Sequence, residues 1–100
     1  MTPRPFRIFH SANARTQFIS AITAATIAGR RAEAIAAALT IERALLWYAD
    51  GFGESRQQLH LLGELRWAAV LPLTVWFAVH TERWEVQVSR YRYVPFPQRT

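Results

Sequence analysis

Residues 59–94 read LHLLGELRWAAVLPLTVWFAVHTERWEVQVSRYRYV, and this stretch decides the fold. It is rich in Val, Leu, Trp and Phe, which strands favour, and it is broken at residues 71–72 and 81–82. Breaks this short join antiparallel neighbours, because a parallel connection needs a dozen or more residues. The stretch therefore predicts three consecutive antiparallel strands, over Leu59–Val70, Leu73–His80 and Trp84–Val94.

The first half of the chain has a different period. Apolar residues recur at helical spacing over residues 12–28, where Gly29 ends the pattern, and again over Arg31–Ala49. A short alternating stretch, Pro5–His10, precedes them and predicts a first strand. The order is thus strand, two helices and three strands (βααβββ). Helices followed by a run of strands indicate an α+β fold, with the helical hairpin packed on one sheet face and the other face partly open.

Length and composition limit the class of protein. One hundred residues suit a single domain over 1–100, and we expect its tail, residues 95–100, to be loose. Hydrophobic residues make up 51% and charged residues 19%, which is typical of a globular protein. Cysteine is absent, which excludes disulfides, thiolate metal sites and a cysteine nucleophile. We predict no cofactor, because the chain is too short for a large cofactor-binding fold.

The charge is strongly one-sided. All 12 basic residues are arginine, and 7 acidic residues leave a net charge of +5. The flat guanidinium binds phosphate with two hydrogen bonds and stacks on bases, so a nucleic acid or an acidic protein partner is compatible with the surplus. A GC-rich genome that prefers arginine codons would produce the same composition, and both interpretations stay open here.

Membrane and export signals are weak. The longest apolar run, Trp67–Val79, has thirteen residues and contains Pro72 and Thr74, whereas a membrane span needs about 20. The apolar stretch Phe18–Gly29 follows several arginines and is similar to a signal peptide, but its basic part is long and polar residues interrupt it. We expect no membrane partner and a cytoplasmic location.

The last predicted strand ends in the run Arg90, Tyr91, Arg92, Tyr93. Two arginines can hold a phosphate, and two tyrosines can stack bases. Cleavage of RNA by its own 2′-OH needs a base and a cation, and arginine can supply only the cation. Flanking positive charge would lower the pKa of a tyrosine and suit it to the first task. The alternative is a half-buried aromatic strand end with solvated arginines.

Other polar residues are isolated along the chain. Arg66, on the second predicted strand, should face outward, either solvated or as a phosphate contact beside the last strand. Glu54 lies in the predicted loop 51–56, where it can orient another group, cap the loop or pair with Arg56. His80 ends a strand and is either an acid–base group or merely exposed.

Histidine and tryptophan each permit one general prediction. The histidines are about fifty and twenty residues apart, so a metal site is not expected from His10, His60 and His80. The tryptophans all lie in apolar contexts and should fill a core between sheet and helices, with an aromatic binding platform as the alternative. These residues are Trp47, Trp67, Trp76 and Trp84.

Several segments of the second half resemble small RelE/ParE-like proteins: Phe52–Ser55, Leu59–Arg66, Val70–Val79 and Val86–Val88. The similarity is to a divergent group with an "fGEp" loop and a "PL-x-V-x-(F/Y)-x-V" strand, and the order of elements matches over roughly residues 5–94. The resemblance implies a toxin of a type II toxin–antitoxin pair. RelE-like members cleave mRNA on the ribosome, ParE-like members act on DNA gyrase, and a cognate antitoxin protein wraps and neutralises the toxin.

The chain departs from the RelE pattern in its third strand. Ribosome-dependent members have a basic residue just ahead of the Val-x-(Tyr/Phe) core, where Leu73 or Thr74 stands here. Lysines that some members use on the second strand are also missing, and only Arg66 is nearby. The late Arg and Tyr positions of the family are matched loosely by residues 90–93.

Three hypotheses follow from these observations. The first is a RelE-like, ribosome-dependent mRNA endonuclease, and its catalytic residues would be Arg90, Tyr91, Arg92, Tyr93 and Arg66. The second is a non-catalytic, ParE-like inhibitor of DNA gyrase. The third is an inactive family member that binds an antitoxin-like partner. Whether the chain is an enzyme stays open among the three.

Overall fold

The computed structural model describes residues 4–59 and 63–95, so His60 and residues 96–100 of the predicted tail lie outside the described part of the chain. Its elements are β1 (Arg7–His10), α1 (Ala12–Ile27), α2 (Arg31–Tyr48), a short 3-10 turn (Ala49–Gly51), β2 (Glu54–Leu59), β3 (Gly63–Val70), β4 (Leu73–His80) and β5 (Glu85–Tyr93). In this part of the chain, no helix has the length and hydropathy that a membrane crossing requires.

The strands form one five-stranded sheet in the order β1-β5-β4-β3-β2. β2 to β5 are joined as antiparallel neighbours, and β1 lies parallel to β5, with Ile8 opposite Val86. Both helices contact the same side of the sheet, α1 chiefly over β5 and α2 over β3 and β4. The predicted α+β fold, with a helical hairpin on one sheet face, is confirmed.

The sheet contains one strand more than predicted. The run predicted as one strand over Leu59–Val70 is divided, because β2 ends at Leu59 and β3 begins at Gly63. Residues 54–56, predicted as loop, already belong to β2. β2 escaped prediction because its sequence, ESRQQL, is almost wholly polar, as an edge strand with solvent-exposed side chains can be.

The hairpin of helices follows from local chemistry. The Ser11 hydroxyl accepts a hydrogen bond from the amide of Ala14 at 3.0 Å and caps α1. Gly29 adopts φ of 75°, the left-handed conformation that ends a helix, as its position predicts. Between these limits the buried residues of α1 are all alanines, which let the helix approach the sheet closely: Ala14, Ala21 and Ala25.

The core lies between the helices and one face of the sheet. Along β4 the buried side chains Val75, Phe77 and Val79 alternate with Trp76 and Ala78, which are on the face away from the helices. We name these the helix face and the open face. The helix face also carries Val86 and Val88 of β5, as predicted.

The four tryptophans do not form one core between the sheet and the helices. The prediction that they fill this core is wrong for Trp47, Trp67 and Trp76. Trp47 is 51% exposed on α2. Trp67 pairs with Trp76 on the open face, and both are half-buried. Trp84 alone packs against the core, with its ring 4.9 Å from that of Phe6, and it lies in the turn before β5 rather than on the strand.

Gly53 gives a test of the turn that starts β2. It has φ of 72°, and a Cβ there would lie 2.1 Å from the carbonyl oxygen of Trp67. Gly29 has φ of 75° with nothing within 4 Å. We expect Gly53→Ala to lower the free energy of unfolding by about 2–4 kcal/mol and Gly29→Ala by only about 1–2 kcal/mol. Equal losses in denaturant unfolding would contradict this packing.

Candidate functional site

A bulge in β5 determines where the Arg-Tyr run points. The pairing of β4 with β5 shifts by one residue between Trp76 and Phe77, because Trp76 lies opposite Arg90 and Phe77 opposite Val88. Ser89 is the extra residue, and its hydroxyl donates a hydrogen bond to the carbonyl of Trp76 at 3.2 Å. One extra residue reverses the alternation of side chains beyond it.

Strand alternation puts the tyrosines of the run on one face and its arginines on the other, and the bulge decides that the tyrosines face the helices. Tyr91 lies opposite Val75 and is buried on the helix face, and Tyr93, opposite Leu73, is half-buried on the same side. Arg90 and Arg92 are exposed on the open face. The structure therefore does not bring these four residues together into one phosphate-binding cluster.

Tyr91 is held among aromatic and polar neighbours. Its ring lies 5.1 Å from that of Phe18, edge to face, and 6.3 Å from that of His10, stacked. Its amide donates a hydrogen bond to the side-chain oxygen of Gln17 at 3.0 Å. Burial, with a smaller contribution from the Glu42 carboxylate, raises the pKa of Tyr91 to about 12. The expectation that flanking arginines lower a tyrosine pKa is wrong at this position.

Arg66 is on β3, two strands away from β5 in the sheet, and it is only 8% exposed. Its guanidinium donates hydrogen bonds to the carbonyls of Phe52 at 2.9 Å and Gly53 at 3.0 Å, and to the carboxylate of Glu64. The bond from Arg66 is the main reason that the pKa of Glu64 is lowered. The expectation of an outward-facing, solvated Arg66 is wrong. Arg66 lies on the helix face, and its hydrogen bonds stabilise the turn before β2.

The open face carries a row of stacked side chains that we call the ladder. The guanidinium of Arg56 lies 5.6 Å from the ring centre of Trp67. The Trp67 and Trp76 rings stack with centres 6.4 Å apart, inclined by 26°. The guanidinium of Arg90 lies 4.7 Å from the ring centre of Trp76. The indole N–H of Trp67 is buried here and makes no hydrogen bond within the described residues.

A groove lies on the helix face of the sheet. It is lined by residues of β1, of both helices and of β5. It encloses a cavity of about 960 Å³. Large apolar side chains line most of it, and two are strongly exposed: Ile19 is 66% and Leu39 53% exposed. Its polar lining includes His10, Arg15, Glu42 and Tyr91.

The polar groups of the groove influence one another. Burial is the main reason that the pKa of His10 is lowered, the charge of Arg15 lowers it further, and Glu42 opposes both. These three and Tyr91 form one polar strip in a groove whose other lining residues, apart from Arg7, are apolar. The strip escaped prediction because its members come from β1, α1, α2 and β5, which only the fold brings together.

No metal site is evident in the described part of the chain, which contains no group of three or more His, Asp or Glu residues placed to hold an ion. His80 ends β4 and pairs with Glu85 of β5, whose carboxylate accepts a hydrogen bond from Arg7 at 3.1 Å. Glu54 begins β2 and lies opposite Trp67.

The fold is similar to that of a solved structure. The chain is similar to one from the "Chromosomal ParDE TA system from P. aeruginosa", with a TM-score of 0.61 and 14% sequence identity. The match covers 90% of this chain and 97% of the other. The chain has a RelE/ParE-like fold. No family model and no curated protein matches the sequence. The chain thus shares its fold with that structure at a low sequence identity.

The raised pKa of Tyr91 predicts a late ionisation. Absorbance titration of the folded protein should contain one phenol step near pH 12 that is missing from Tyr91→Phe. Because the folded pKa lies above the unfolded value of about 10, this group stabilises the fold fully below pH 10 and loses that effect as the pH rises towards 12. Tyr48→Phe, on a 53% exposed tyrosine, is the control. A step below pH 10 assigned to Tyr91 would contradict its burial.

Proposed function

We propose that this chain is the toxin component of a type II toxin–antitoxin pair and that it acts by protein–protein contact, as ParE-like members do. The RelE/ParE-like fold supports the first part of the proposal. The second part depends on one observation: Tyr91 and Tyr93 lie on the helix face of the sheet, and Arg90 and Arg92 lie on the open face. DNA gyrase is the target that the ParE-like hypothesis implies.

The groove is the proposed site for the antitoxin. Ile19 and Leu39 expose most of their surface, and burying a side chain of this size contributes about 1.5–3 kcal/mol. A groove between helices with an apolar lining fits an amphipathic helix. The strip of His10, Arg15 and Glu42 would fix the register of that helix, because each polar group that the bound helix covers needs a partner. A cognate antitoxin segment is accordingly the proposed occupant.

The RelE-like endonuclease is the competing candidate, and the exposed Arg90 and Arg92 favour it. Such chemistry needs an acid–base group at the phosphate that the arginines bind. Tyr91 keeps its proton at neutral pH, and Arg66 is engaged on the helix face. His80 is on the open face, but it lies four residues along β4 from the partner of Arg90, roughly 13 Å away. This spacing favours binding over catalysis.

The proposed place of action is the cytoplasm, where both translation and DNA gyrase operate. The proposed partners are the antitoxin and one protein target. Neither partner requires a membrane. The inactive-member hypothesis shares the antitoxin partner with this proposal and differs from it only in lacking a target.

Substitutions in the groove test the antitoxin site. Ile19→Glu combined with Leu39→Glu should weaken binding of the cognate antitoxin at least a hundredfold, because two carboxylates would be buried against apolar side chains. Ile27→Glu is the control, since Ile27 is 83% exposed on α1 and does not line the groove. Calorimetric titration measures both. Equal affinities for the double variant and the wild type would remove the groove from the proposal.

Two activity assays separate the modes of action. In a translation reaction with a defined mRNA, we expect no new 5′ ends, and in a supercoiling reaction with purified gyrase we expect inhibition. Cuts that appear with the wild type and vanish with Arg90→Ala/Arg92→Ala would overturn the protein-contact mode in favour of the endonuclease. Absence of any effect in both assays would overturn it in favour of the inactive member.

A further inference from the structure

The ladder takes one residue from each of four consecutive strands. Arg56 comes from β2, Trp67 from β3, Trp76 from β4 and Arg90 from β5. The row therefore crosses the open face at right angles to the strands. A guanidinium lies near each indole, and the two indoles lie next to each other. The ladder is built from two of the residue types that dominate the energetics of protein interfaces, tryptophan and arginine.

The stacking restricts what can bind to the ladder. Single-stranded nucleic acids are held by bases that stack on free aromatic faces, and each ladder indole already has a guanidinium near its ring centre and the other indole beside it. The groups that remain available are the carbon atoms of the half-buried rings and the N–H edges of the guanidinium groups. An apolar centre between two anion-binding ends is the anatomy of a protein interface.

The charge of the open face favours an acidic partner. Arg56, Arg90 and Arg92 are exposed, and none of them has an ion pair among the described residues. Glu85 is engaged by Arg7, which leaves Glu54 as the acidic residue beside the ladder. Arginine binds a carboxylate with two parallel hydrogen bonds, so each end of the ladder fits one acidic side chain.

The buried N–H of Trp67 adds an independent observation. An indole donor without a partner costs about 1–3 kcal/mol, and native structures leave few such groups. Arg56 lies over this ring. A partner that brings an acceptor to this N–H would remove that cost. In the free protein, the ladder therefore contains one donor without a partner among the described residues.

We propose that the ladder is a second docking surface. Its occupant would be a protein segment that carries one acidic residue on each side of an apolar residue. The ladder spans three strand spacings, roughly 14 Å, which an extended chain covers in about four residues. Side chains two residues apart point the same way in an extended chain, so the segment would read acidic-x-apolar-x-acidic. The surface lies on the opposite side of the sheet from the groove and goes beyond the antitoxin site.

A peptide titration followed by NMR tests this proposal. The probe is the peptide Gly-Glu-Ser-Leu-Ser-Glu-Gly with blocked ends, and the comparison peptide has glutamine in place of both glutamates. We expect the first peptide to shift the indole N–H signals of Trp67 and Trp76 and to leave those of Trp47 and Trp84 in place. A ten-nucleotide oligothymidylate forms the nucleic-acid arm of the experiment.

Variants of matched charge give the expected effects. Arg56→Gln/Arg90→Gln should raise the Kd for the peptide at least tenfold, and Arg92→Gln two- to fivefold. Arg31→Gln/Arg83→Gln removes the same charge from exposed positions away from the ladder and should change the Kd less than twofold. Ile19→Glu/Leu39→Glu should leave peptide binding unchanged, so failure of the groove and failure of the ladder are distinguishable.

Three results would overturn the proposal. In the first, the Trp67 and Trp76 signals do not move with the acidic peptide. In the second, the two arginine pairs weaken binding equally, which indicates unspecific attraction. In the third, oligothymidylate shifts the same signals at lower concentration, which assigns the surface to nucleic acid. Because the substituted arginines are exposed, thermal unfolding of each variant should match the wild type and exclude misfolding as the cause.

Discussion

Between Trp76 and Phe77 the pairing of β4 with β5 shifts by one residue, and both faces of the sheet depend on this shift. Before it, Val86 and Val88 face the helices, and after it Tyr91 does. Without the extra residue, Ser89, strict alternation would turn Arg90 into the core and Tyr91 out to solvent. A buried guanidinium would have to be paired to offset the cost of its desolvation. The bulge allows one strand to serve both surfaces.

Each surface then has its own chemistry. Around Tyr91 the helix face is continuous with the apolar groove, where a few polar groups are coupled to one another. Around Arg90 the open face has arginine and tryptophan stacked in a row. Because the sheet lies between them, one partner can occupy the groove while another contacts the ladder. A toxin that is held by one protein and acts on another fits this two-sided design.

Much of the fold could be predicted from the sequence, because the apolar period changes clearly from helix to strand and the helix ends carry Ser11 and Gly29. β2 could not, since its polar residues have no period. The Arg-Tyr run was found as a candidate site, but which of its residues face the helices was not, because a bulge is defined by pairing with another strand. The same holds for the ladder, since Trp67 and Trp76 become neighbours only in the register of β3 with β4.

A NOESY spectrum of the folded protein tests whether β5 changes face at Ser89. Cross-peaks are expected between the rings of Tyr91 and Phe18, whose centres are 5.1 Å apart. They are also expected between the Arg90 side chain and the Trp76 indole, 4.7 Å apart. Cross-peaks between the Tyr91 ring and the Trp76 indole, without those to Phe18, would mean that β5 runs without a bulge and would contradict the account.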